Sequence, residues 1–164
     1  MITDTDLRQI ATKYKIPVND IFMKDQPPLK IKYGGYIINL DDESLGRGGT
    51  HFVSLWIPKY PKQDIIYYDT FGFAVPQSII NWIRLRGGIY KKSRIVYNDK
   101  HIQNVNSGGC GIYSLFFINF MARHKSIYNS IALLEKYNNL WSDDTKNNLN
   151  LLKEYVPYYK NSII

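Results

Sequence analysis

The stretch THFVSLWIPKYPKQDIIYYD, residues 50–69, holds two runs of β-forming residues on either side of a proline-containing break. THFVSLWI, at 50–57, is rich in branched and aromatic side chains and is stopped by Pro58. DIIYYD, at 64–69, has the same character and is stopped by the turn-like Thr70-Phe71-Gly72. The connector at 58–62 fits a hairpin, so the two runs are expected to pair antiparallel. His51, at the start of one strand, then faces Asp69, at the end of the other. A carboxylate held against an imidazole orients the ring and stabilises its charged form, as acid–base chemistry requires. A strand histidine is also commonly a half-buried structural residue, and this spacing alone leaves both readings open. Asp41, Asp42 and Glu43 are rival acids in what reads as a solvated loop.

Working outward, Gly34-Gly35 opens a further apolar strand at Tyr36 to Leu40. Before it, Thr3-Asp4-Thr5-Asp6 reads as a helix start, with capping side chains and acids at the positive end of the dipole. Leu7, Ile10, Ala11 and Tyr14 follow at the spacing of one buried helical face, and Pro17 should end that helix. Gln26-Pro27-Pro28 reads as a connector within one domain, 1–164.

After Pro76, the spacing of Ile79, Ile80, Trp82 and Ile83 predicts a helix that ends before Gly87-Gly88. Short strands are expected around Arg94 to Tyr97 and His101 to Gln103. Gly108-Gly109 then precedes a strongly apolar helix from Cys110 to Arg123, with further helices near 127–140 and 145–155. The fold class is α+β: a central, largely antiparallel sheet flanked by helices.

Cys110 stands where this glycine-rich loop becomes the buried helix. A helix N-terminus carries about half a positive charge, which favours thiolate over thiol. Neighbouring glycines let a substrate backbone approach, and their N–H groups can face a developing oxyanion. A lone cysteine before a core helix also fits a buried structural thiol. Gln103, seven residues earlier, carries an amide able to donate to an oxyanion, and equally fits an ordinary surface glutamine.

Composition narrows the classes. With 45% hydrophobic and 15% aromatic residues, the chain can bury a sizeable core, unlike a disordered one. One cysteine excludes an internal disulfide, and the histidines at 51, 101 and 124 lack metal-ligand spacing, so no metal is expected. His124, between Arg123 and Lys125, reads as a cationic helix end, and His101 as surface. The N-terminus has no hydrophobic run, and Ile112 to Met121 is too short for a membrane span, so a soluble intracellular protein is expected. The net charge of +7 should attract polyanions. Arg84, Arg86, Lys91, Lys92 and Arg94 are the clustered candidates for nucleic-acid contact, although a basic surface can serve solubility alone.

Together, GGTHF at 48–52, DTFGF at 69–73 and QNVNSGGCG at 103–111 resemble the adenovirus protease and its relatives in virophages, Polinton-type elements and large DNA viruses. These share a clan with the proteases of ubiquitin-like modifiers. YIINLDD at 36–42 adds to the likeness, which covers roughly residues 34–123. The order histidine, acid, glutamine, cysteine is that of the clan. The resemblance implies an α+β cysteine endopeptidase with Cys110 as nucleophile, His51 as general base, Asp69 as orienting acid and Gln103 as oxyanion donor.

It also implies viral structural precursor proteins as substrates, action in the virion and in the host cytoplasm or viral factory during assembly, and a monomer with no required cofactor and no membrane. Two departures bear on this. Phe52 stands where the clan often has tryptophan. The adenovirus enzyme is activated by a viral peptide through a second cysteine, which this chain lacks, so a peptide activator would bind noncovalently; DNA is the other candidate activator. Two further readings stay open: a protease of ubiquitin-like modifiers, and a basic nucleic-acid-binding module with vestigial catalytic residues.

Overall fold

Every residue of the run 52–57 is buried, so neither face of that strand meets water and both must be covered. The computed structural model, which describes residues 2–41, 51–104 and 109–156, shows by what. Its elements are α1 (Asp4–Lys13), β1 (Val18–Met23), β2 (Gly34–Asn39), β3 (Phe52–Ile57), β4 (Ile65–Tyr68), α2 (Gln77–Arg86), a 3₁₀ turn (Gly88–Tyr90), β5 (Ile95–Tyr97), α3 (Cys110–Arg123), α4 (Ser130–Asn138) and α5 (Thr145–Tyr155). The class is α+β, as expected.

The sheet runs β1-β2-β3-β4-β5. Its centre is antiparallel: β2 pairs with β3, and β3 with β4, where Ser54 lies opposite Tyr68 and Trp56 opposite Ile66. Its outer pairings, β1 with β2 and β4 with β5, are parallel. The expectation of a largely antiparallel sheet therefore holds for its centre, while the edges make it mixed.

Alternation along each strand sorts two cores. Phe52, Trp56, Ile37, Ile66 and Tyr68 pack with Leu115, Phe117, Ile118 and Met121 of α3 and with Leu7 and Ile10 of α1. Val53, Leu55, Ile57, Tyr36, Ile38, Ile65 and Tyr67 meet Ile79, Trp82 and Ile83 of α2. The long apolar helix α3 lies directly on the sheet. A methyl group added at Gly35 of β2 would overlap Ile118, so that glycine sets how closely helix and sheet approach.

Several boundaries differ from the sequence reading. Thr3 and Asp6 form the expected capping box, but α1 ends at Lys13, where Lys15 turns the chain at φ 55° before Pro17 is reached. Strand β1 is absent from the sequence reading, because polar Asn19 and Asp20 interrupt it and its only buried residues, Ile21 and Phe22, are adjacent and show no alternation. No strand forms at 101–103; the amides of Ile102 and Gln103 instead donate to the Thr70 carbonyl. Helix α4 starts at Ser130, not near 127, because the Asn129 side chain caps it. Asp42, Glu43, Gly48, Gly49, Thr50 and Gly108 lie outside the described residues.

Candidate active site

The β3–β4 hairpin brings His51, one residue before β3, against Asp69, one residue after β4. Nε2 of His51 lies 2.9 Å from Oδ1 of Asp69. Asp69 is 1% exposed, and a carboxylate so buried must be well partnered. Oδ1 also accepts the Phe71 N–H at 2.8 Å. The Asn98 side chain clasps the aspartate's backbone: Asp69 N–H donates to Asn98 Oδ1 at 3.1 Å, and Asn98 Nδ2 donates back to the Asp69 carbonyl at 2.9 Å. Nδ2 also reaches the Lys100 carbonyl at 2.9 Å, tying this clasp to the chain leaving β5.

Cys110 is the first residue of α3 and is partly buried against the helix-side core. The preceding Gly109 is in the left-handed region at φ 98° and offers no side-chain cap, whereas Thr3, Asn129 and Asp144 cap α1, α4 and α5. The thiol thus sits at the positive end of a helix dipole with no capping side chain beside it. The backbone N–H of Phe52 points at Sγ from 3.4 Å. The Phe52 ring is buried in the core, so this residue meets the sulfur through its backbone and not through its aromatic group.

His51 therefore stands between a carboxylate and a thiol, with Nε2 on Asp69 and Nδ1 left for Cys110. Burial disfavours its charged form. Hydrogen bonds to Asp69 and Cys110, and the charges of both, outweigh that and raise its pKa to about 9. The charged form of the ring is thus favoured above the ordinary histidine range, with the Asp69 carboxylate on one side and the Cys110 sulfur on the other.

Gln103 is 2% exposed, contrary to an ordinary surface glutamine. The Thr70 hydroxyl donates to its Oε1 at 2.6 Å, and its own backbone N–H donates to the Thr70 carbonyl at 3.2 Å. Fixing the amide oxygen in this way orients Nε2 as the donor end. Thr70 follows Asp69 directly, so the acid and the glutamine share one scaffold.

Four further residues complete the arrangement. Phe71 stacks on the His51 ring at 4.6 Å between centroids, and His101 meets the edge of Phe71 at 5.4 Å. Thr70 and Phe71 fall within DTFGF, a motif visible in the sequence although their roles were not. Asn98 and His101 carried no signal. His124 ends α3 with Nδ1 2.9 Å from the Phe120 carbonyl, away from this cluster.

The basic residues Arg84, Arg86, Lys91, Lys92 and Arg94 are all exposed. Two are engaged within the chain. Arg84 donates to the carbonyls of Lys91 and Ser93, and Arg94 makes a two-pronged ion pair with Asp64 at 3.0 and 2.6 Å. Among the described residues, no group of three His, Cys, Asp or Glu side chains is gathered that could hold a metal ion.

No protein-family model and no curated protein matches the chain. Among solved structures it is similar to the ASFV pS273R protease. One crystal structure matches at 18% identity with a TM-score of 0.47, covering 76% of this chain and 56% of that one. A selenomethionine crystal structure of the same protease matches at 16% identity and a TM-score of 0.46, covering 77% and 59%. The chain spans just over half the length of that protease.

Proposed function

We propose that this chain is a viral cysteine endopeptidase that cleaves capsid or core precursor proteins during virion maturation. The observation that carries the enzymatic part is His51 held between buried Asp69 and the Cys110 thiol at the head of α3. The motif likeness to the adenovirus protease and its relatives supports the viral and maturation parts. In this reaction the Cys110 thiolate attacks the scissile carbonyl, forming a C–S bond and pushing the carbonyl electrons onto oxygen. Gln103 Nε2 and backbone N–H groups at the start of α3 hold that oxyanion. Collapse breaks the C–N bond as His51 gives its proton to the leaving amine. His51 then takes a proton from water, whose oxygen attacks the thioester; the C–S bond breaks, releasing a carboxylic acid and restoring the Cys110 thiolate beside protonated His51.

The maturation reading is tested by incubating the enzyme with the structural proteins of the parent particle and sequencing the new N-termini. Cuts confined to ubiquitin-like modifiers would favour the other enzymatic reading. No cofactor is required, and the enzyme acts as a monomer in the assembling particle.

If Gln103 is an oxyanion donor, Gln103→Ala should slow turnover by about 10²–10³-fold. A loss below about threefold in kcat would assign that role to backbone groups alone. Asn98 positions Asp69 without touching substrate. Asn98→Ala is therefore expected to lower kcat by about 10- to 100-fold with little change in KM, because small misplacements of a catalytic group are costly. Equal kcat in a variant shown to be folded by circular dichroism would remove that role.

DNA binding, weak and without sequence preference, is expected through Arg86, Lys91 and Lys92, and should fall steeply with salt. Duplex titration at two salt concentrations checks it. Binding that is absent at low salt, or unchanged at high salt, would leave the charge to solubility. Arg84 and Arg94 are poor probes, since their substitution also breaks hydrogen bonds within the chain.

A further inference from the structure

At the opposite end of β3 and α3 from Cys110 lies a groove that the proposed reaction does not use. Its first cavity, about 360 Å³, has apolar Trp56, Ile66 and Leu133 in its lining and Lys59 and Lys125 among its charged residues. A second, about 620 Å³, adjoins it and is lined by Lys62, Asp64 and Arg94, among others. The two share Tyr60 and Tyr128, whose rings stack at 5.9 Å and 15°. Tyr128 is 65% exposed, a large aromatic surface left in water at the junction.

The charge around this groove is one-sided. Arg94 and Asp64 cancel as a pair. Lys59, Lys62 and Lys125 are exposed, and among the described residues no carboxylate pairs with them. Lys59 lies 5.7 Å over the Tyr60 ring. A positive rim around an apolar hollow calls for a ligand of the reverse design: negative charges flanking an apolar anchor. Nucleic acid also takes basic and aromatic surfaces, stacking successive bases on several ring faces along a strand. Here one Tyr60–Tyr128 pair borders a hollow of about 360 Å³ lined by Trp56, Ile66 and Leu133, which suits a single inserted side chain.

We propose that this groove docks an acidic peptide segment of a partner protein, anchored by one large apolar side chain beside Trp56 and gripped by Lys59, Lys62 and Lys125. His51 and Trp56 are five residues apart on an extended strand, roughly 17 Å. Cys110 and Lys125 are separated by the length of α3, roughly 20 Å. The docked segment therefore leaves the Cys110 cleft open, and docking does not depend on the protease reading.

Fluorescence anisotropy with short labelled probes tests this. The probes are an Asp/Glu-rich peptide with one central phenylalanine, the same peptide with serine there, a Lys-rich peptide with the phenylalanine, and oligo-dT. The acidic phenylalanine peptide is expected to bind about tenfold or more tighter than either other peptide. Lys62→Glu combined with Lys125→Glu, both at exposed positions that leave the fold intact, should cost that peptide about tenfold or more. Lys13→Glu with Lys146→Glu, exposed positions on α1 and α5 that line neither cavity, should change it less than twofold. Alkylating Cys110 should leave binding unaltered, and saturation with the peptide should leave cleavage of short substrates unaltered. The proposal is overturned if the acidic peptide does not bind, if the Lys13/Lys146 pair weakens it as much as the groove pair, or if oligo-dT displaces it and binds more tightly.

Discussion

Cys110→Ala is expected to lower cleavage by about 10⁴-fold or more, to the level left by binding and oxyanion donors alone. The reason is chemical: alanine cannot form the thioester through which the amide bond is broken, and among the described residues no other nucleophilic side chain is held against His51. The fold should survive. Cys110 is only partly buried at the first position of α3, where alanine is a good helix former. Alanine also gives up the hydrogen bond from the Phe52 N–H to Sγ, worth about 1 kcal/mol. Cleavage assays paired with thermal unfolding separate the two effects. A variant that still cleaves would remove the proposal outright.

The second large effect comes from Asp69. Its hydrogen bond and charge help to lift His51 to about 9 against the opposing effect of burial. Asp69→Asn keeps the shape but removes the charge, so the His51 pKa should fall and turnover near neutral pH should drop by about 10²–10⁴-fold. The sign of the pH dependence follows from the raised value. In the native enzyme the imidazolium persists until pH rises through about 9, and activity that needs it should decline there. Stability should follow the same group: its contribution is full below the ordinary histidine value of 6.5 and is lost as pH rises from there through about 9. In Asp69→Asn both declines should move to lower pH. Rate profiles and urea unfolding at several pH values check this. A high-pH limb in the variant at the native position would show that Asp69 does not set the His51 charge.

The hairpin was legible because its signals are local. Two β-rich runs stopped by prolines and a turn fix an antiparallel pair, and that pair alone brings His51 to Asp69. Helix α3 was equally legible, since a glycine break and a solid apolar run leave little alternative to a buried helix starting at Cys110. The parallel edges were not. Strand β1 carries Asn19 and Asp20, and its partner lies across a loop, so no local pattern announces the pairing. Asn98 was invisible for a similar reason. Its value comes from facing the Asp69 backbone across 29 residues, and an asparagine after a short strand otherwise reads as a turn. Phe52 shows the reverse. The residue drew notice for its ring, whereas its backbone N–H is what faces the sulfur.

The central claim is that Cys110 attacks an amide bond while His51, oriented by Asp69, manages the proton. The most direct measurement mixes the enzyme with a proteome-derived peptide library, quenches in acid within milliseconds to seconds, and maps the adducts by mass spectrometry. The account predicts acyl-thioester adducts on Cys110 that match the N-terminal fragments of the cleaved peptides and are absent from His51→Ala. Peptide cleavage with no adduct on Cys110, persisting after that thiol has been alkylated, would contradict it.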